Sequence, residues 1–168
     1  MTKAHVTKDL ENKTLSIERT FDASPEKVWK AYSDKEMFES WWGPEGWVTT
    51  AKQFDFMPGG TIHYMMKCVD ENQGEWFGQE AWGIMVLDAV DAPNRFSAQD
   101  HFSDSEGSKN PDMPAQRFVV DFIEEDGKTR LVNKSIFETV GAMEEVITMG
   151  QIEGFESQMN KLEKLLAA

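Results

Sequence analysis

The stretch MGQIEGFESQMNKLEKLL, residues 149–166, decides the fold. Phe155, Met159, Leu162 and Leu166 step by four, three and four, which places them on one stripe of an α-helix. The pattern predicts one long helix from about residue 142 to residue 166, with a single apolar face to bury. Gly150 and Gly154 fall inside it, each costing about 0.8–1 kcal/mol relative to alanine. Close approach of the helix to a strand is the expected reason for them, and room for a ligand is the alternative.

What this helix covers is read from the residues before it. TLSIERTF, residues 14–21, alternates Leu15, Ile17, Arg19 and Phe21 with polar positions, as a half-buried strand does. Ser24, Pro25 and Glu26 form a helix start, followed by Val28, Trp29 and Tyr32 on one face. Asp34 caps a second short helix carrying Met37, Phe38, Trp41 and Trp42, which Gly43-Pro44 stops. Strand-like runs follow at 47–56, 61–69, 76–90, 95–102, 116–124 and 129–137. Turn residues separate them, and Asp126-Gly127 is a hairpin signal. Residues 103–114, SDSEGSKNPDMP, read as a mobile loop that connects strands or gates a cavity. Short connections imply an antiparallel sheet, one face of which needs a cover. The fold class is α+β, with residues 14–168 as a single domain and residues 1–13 as a flexible, polar segment.

Composition narrows the partners. The 168 residues carry 17 basic and 30 acidic side chains, a net charge of −13. Such a surface repels phosphate, so neither nucleic acid nor an anionic membrane is expected as a partner. Cys68 is the lone cysteine and has no intrachain disulfide partner. No secretory leader or membrane-length apolar run is visible, and a reducing, cytoplasmic setting is expected. The 6 Trp, 11 Phe and 10 Met are many for so small a domain. They either pack the helix on the sheet or line a pocket.

The order of these segments resembles the SRPBCC (START-like, helix-grip) superfamily, in the bacterial branch related to the C-terminal domain of the heat-shock-protein-90 ATPase activator. FDASPEKVWKAYSD (21–34) resembles the family's opening strand-to-helix passage, and WWGPEGW (41–47) its Trp-rich helix end. MPGG (57–60) is similar to its turn, and DHFSDSEG (100–107) to its strand-to-loop passage. Residues 149–166 are similar to its terminal helix, with Phe155 where Trp is usual. The resemblance implies an antiparallel sheet gripping the terminal helix, with a cavity between them.

No strong catalytic motif occurs. There is no G-x-S-x-G elbow, P-loop or H-E-x-x-H, and His5, His63, His101 and Cys68 lack metal-ligand spacing. On the strand around His63, the set Ile62, Tyr64, Met66 and Cys68 is the more apolar and is expected to face inward. His63 is then a solvent-side histidine and Cys68 an inert buried thiol. Asp100 shares a face with Phe96, Ala98 and Phe102, so it too is inward, and it is expected to cap the loop at a wet strand end. Two registers stay open. Glu80 and Trp82 oppose Met85 and Leu87, and Asn133 and Ser135 oppose Val132 and Ile136.

The expected function is non-catalytic binding of a small apolar or amphipathic ligand between sheet and terminal helix. The expected cavity residues are Trp42, Phe54, Tyr64, Met66, Glu80, Trp82, Asp100, Phe118, Phe155 and Met159. No catalytic residue, metal or cofactor is assigned. The resemblance makes a chaperone partner one alternative. A cyclase or hydrolase using Asp100, Glu80 or Tyr64 is the other.

Overall fold

A computed structural model of the chain describes residues 4–113 and 115–168. Its strands are β1 (His5–Asp9), β2 (Thr14–Phe21), β3 (Trp47–Phe54), β4 (Thr61–Cys68), β5 (Glu80–Asp91), β6 (Arg95–Ser103), β7 (Gln116–Glu125) and β8 (Lys128–Ile136). Its helices are α1 (Pro25–Ser33), α2 (Lys35–Trp41), α3 (Val140–Thr148) and α4 (Gln151–Ala167). The eight strands form one antiparallel sheet in the order β1-β2-β8-β7-β6-β5-β4-β3. The α+β helix-grip expectation holds. Among the described residues, no helix is long and apolar enough to cross a membrane.

The local signals act as read. The Ser24 hydroxyl accepts from Lys27 N–H, and the Asp34 carboxylate accepts from Met37 N–H. Asp126 and Gly127 both take positive φ, closing the β7–β8 hairpin. Bulges between Ala51 and Gln53 in β3, and between Leu87 and Ala89 in β5, bend one half of the sheet. α1 and α2 carry the chain across the inner face, from β2 near one edge to β3 at the other. There Val28, Trp29, Tyr32, Phe38 and Trp41 are buried against Phe96, Val120 and Phe122.

Three expectations are corrected. Within the expected flexible segment, His5–Asp9 pair with β2 as an edge strand; residues 1–3 lie outside the described residues, as does Pro114 of the loop 103–114. The expected strand 76–90 is shorter, because Gly74 and Gly78 take positive φ and turn the chain through a 3₁₀ segment, Glu71–Trp76, before β5 begins.

The third correction concerns the terminal helix. It is two helices, α3 and α4, broken at Gly150, whose φ of 92° belongs to the left-handed region. Val146 and Met143 of α3 pack with Leu15 and Ile17 of β2 and with Phe137, in a second cluster beside the main core. The stripe on α4 is as expected, with Met159 and Leu162 fully buried and Leu166 nearly so. Phe155 packs against both clusters.

Candidate functional site

The alternation of β4 and β6 builds the site. On β4, Ile62, Tyr64 and Cys68 are buried on the inner face, as expected. On β6, Phe96, Ala98 and Asp100 share that face. β5 lies between these strands, and Tyr64 pairs across it with Gly83. A Cβ at position 83 would overlap the Tyr64 ring, so only glycine lets the ring lie across β5. The Tyr64 hydroxyl thereby reaches Asp100 and donates to both carboxylate oxygens, at 3.1 and 3.2 Å. Burial pushes the Asp100 carboxyl up to about 7, against the lowering effect of that hydrogen bond. Burial and the Asp100 charge together push the Tyr64 phenol well above its ordinary value.

The pair opens onto a hollow of about 340 Å³ between the sheet and the first half of α4. Trp42, Phe102, Phe118, Phe155, Met66 and Met149 give it aromatic and thioether walls. Gln116, Asn133, Ser135, Gln151 and Gln158 give it polar ones. Gln116 and Gln151 exchange hydrogen bonds at 3.2 and 3.0 Å, tying the start of β7 to the start of α4. Gly154 also lines the hollow, and a Cβ there would meet nothing within 4 Å. Close packing is therefore not the reason for Gly154; the space beside it is empty. Gly150 serves the helix break.

One wall is held by the polar side of α4. Gln158 Oε1 accepts from Gly43 N–H at 2.7 Å, and Ser157 Oγ accepts from Glu45 N–H at 2.7 Å. Lys161 Nζ donates to the carbonyls of Gly43 and Trp47 at 3.2 and 3.1 Å, with Trp42 O at 3.5 Å. Desolvation lowers the pKa of this half-buried lysine. These contacts fix residues 42–47, and with them Trp42 and Pro44. On the inner face of β2, the nearly inaccessible Arg19 side chain donates to Asn160 at 2.8 Å and Glu163 at 2.9 Å. Sequence reasoning missed all of these helix residues, because their polar spacing reads as a solvated face until the loop that they hold is known.

Of the expected cavity residues, Trp42, Tyr64, Met66, Asp100, Phe118 and Phe155 line the hollow. Phe54 instead packs on Phe38 and Phe56, and Met159 is wholly enclosed in the core below. Glu80 and Trp82 are on the opposite face. The register turns Gly83, Met85 and Leu87 inward, so Glu80 is exposed and Trp82 packs at a tilt against His63, with ring centroids 5.1 Å apart. On β8, Asn133 and Ser135 face inward and are buried.

His63 is on the outer face as expected, yet it is buried rather than solvated. Its Nε2–H donates to Asp104 O at 2.8 Å, and Lys52 Nζ donates to Ser105 O at 2.6 Å. The first part of the loop after β6 is therefore fastened to the outer face rather than laid over the hollow. Asp104, not Asp100, caps it, accepting from the N–H groups of Glu106 and Ser108 at 3.0 Å each. Amide donors from Ser108, Glu106 and Gly107 lower the Asp104 pKa. Cys68 is buried and unpaired. Among the described residues, no three His, Cys, Asp or Glu side chains gather as a metal site.

A family model described as activator of Hsp90 ATPase homolog 1-like protein matches residues 22–167. A protein from Mycobacterium smegmatis, known by crystal structure, is 32% identical, with a TM-score of 0.86 over 99% of this chain and 97% of that one. A solution structure from Staphylococcus epidermidis is 31% identical, with a TM-score of 0.81 over 96% and 93% of the two chains. Another from Arthrobacter aurescens is 28% identical, with a TM-score of 0.87 over 97% and 91%. No curated protein matches the chain.

Proposed function

The chain belongs to the activator of Hsp90 ATPase homolog 1-like family, and from that premise we propose that it binds a small hydrophobic or amphipathic molecule in the hollow beside α4, without chemistry of its own. One observation carries the reading. At Gly154 a helix that elsewhere buries large side chains presents none, and the space in front of it is left open. Protein interiors are close-packed, and here a hollow of about 340 Å³, open to solvent on one side, is left unfilled between helix and sheet. It falls at the lower end of the range of small-molecule sites, roughly 300–1,000 Å³, and shares their mix of aromatic walls and a few polar groups. The buried lone thiol suits a reducing compartment, and the reading places the protein in the cytoplasm.

Fluorescence of the neutral probe N-phenyl-1-naphthylamine tests it. The wild type is expected to take up the probe with saturation, and Gly154→Phe, whose ring would occupy the hollow, to lose at least about tenfold in affinity. Equal uptake by both proteins would remove the hollow as the site. The chaperone reading rests on the family description alone. It requires this chain to change the ATPase rate of Hsp90, and no effect at saturation would end it.

A further inference from the structure

We propose that the hollow is selective for a hydrophobic amine, its ammonium seated against Asp100 and its apolar body against the aromatic walls. This rests on the reading of the hollow as a ligand site. Among the described residues lining it, Asp100 is the only acidic one, and no Lys, Arg or His accompanies it. Its one side-chain partner is the Tyr64 hydroxyl, a single donor set between two oxygens that offer about four lone-pair positions. The nearby cations are engaged elsewhere: Lys161 on backbone carbonyls and Arg19 on Asn160 and Glu163.

A half-buried carboxylate without a cation is poorly compensated, and an incoming ammonium would supply the missing charge with charge-assisted hydrogen bonds. Trp42, Phe102, Phe118 and Phe155 would present ring faces or edges around it, and aromatic faces attract cations. The net charge of −13 favours approach of a cation and opposes that of an anion. One feature points the other way: α4 begins beside the hollow at Gly150 with no side-chain cap, and a helix N-terminus attracts acidic groups. An acidic probe therefore belongs in the test.

Calorimetry at pH 8 with 4-phenylbutylamine, 4-phenylbutan-1-ol and 4-phenylbutyrate compares three heads on one body. The amine is expected to bind the wild type at least about tenfold tighter than the alcohol, and the acid more weakly than both. Asp100→Asn is expected to abolish the amine's advantage over the alcohol. A second readout needs no variant. The carbon NMR titration of the Asp100 carboxyl should fall by about a pH unit or more on saturation with amine, and stay in place with alcohol.

Equal binding of amine and alcohol overturns the proposal but leaves the hollow as a ligand site. So does an amine preference that survives Asp100→Asn. Tightest binding of the acid overturns it in favour of the α4 N-terminus. No binding by any of the three overturns both readings.

Discussion

Asp100 carries the chemistry of the molecule at the scale of a single residue. Its carboxyl is held up to about 7, so between its ordinary value and about 7 the folded chain keeps a proton that the unfolded chain releases. The stability that this contributes is fully present in acid and is lost as pH rises through about 7. Above that, the folded state holds a partly desolvated charge that the shared Tyr64 hydroxyl and the His101 backbone N–H compensate only in part. Asp100→Asn keeps the shape and an acceptor for Tyr64, and has no charge to bury. Its melting temperature relative to wild type is therefore expected to be near zero difference at pH 4 and distinctly higher at pH 8. Melts at both pH values check this; a constant offset would mean that Asp100 titrates as an exposed acid. The inward direction of Asp100 was legible from its alternation with Phe96 and Ala98. Its partner was not. Tyr64 and Asp100 meet only because a glycine on the strand between them leaves room for the ring, and strand register is not written in the spacing of one strand.

Among the elements, α4 does two jobs on two sides. Its apolar stripe was readable from the period of 3.6. Its polar side, Ser157, Gln158 and Lys161, holds the backbone of residues 42–47, and such pairing across more than a hundred residues leaves no local trace. Lys161→Met keeps much of the stem's packing but removes the donor to these carbonyls. The expected loss is about 1–3 kcal/mol, with faster amide exchange at Gly43 and Glu45. Unchanged exchange there would show that Gln158 and Ser157 suffice. The break between α3 and α4 had a signal in Gly150, a helix-stopping residue; the continuous apolar pattern on either side outweighed it. Gly154 differs from Gly150. It is helical and faces open space, so Gly154→Ala should recover most of the propensity cost, about 0.8–1 kcal/mol. For a chain of this size that is a rise of about 2–4 °C in melting temperature per kcal/mol. A fall on that substitution would mean that the space is not free.

The whole molecule divides along α4. Toward its end, Met159, Leu162 and Leu166 close a solid core with α1, α2 and the sheet. At its beginning the hollow lies in front of Gly154, and α3 leans on β2 in a separate cluster. The sequence of elements along the chain, antiparallel pairing and the covering helix were legible, because each follows from local alternation and short turns. The division was not, because whether facing side chains meet or leave a gap depends on sheet curvature, which the bulges in β3 and β5 set. The division has a thermodynamic consequence. A ligand in the hollow would fill the gap between α4 and the sheet and bind only the folded chain. At a concentration about a hundredfold above its dissociation constant it would add about 2.7 kcal/mol. With the same size scaling, that is a rise of about 5–10 °C in melting temperature. Wild type with N-phenyl-1-naphthylamine in that excess should show this rise, and Gly154→Phe at the same probe concentration should show at most about half of it. If saturating probe leaves the wild-type melt in place, binding is to the unfolded chain as well, and the hollow is not where it occurs.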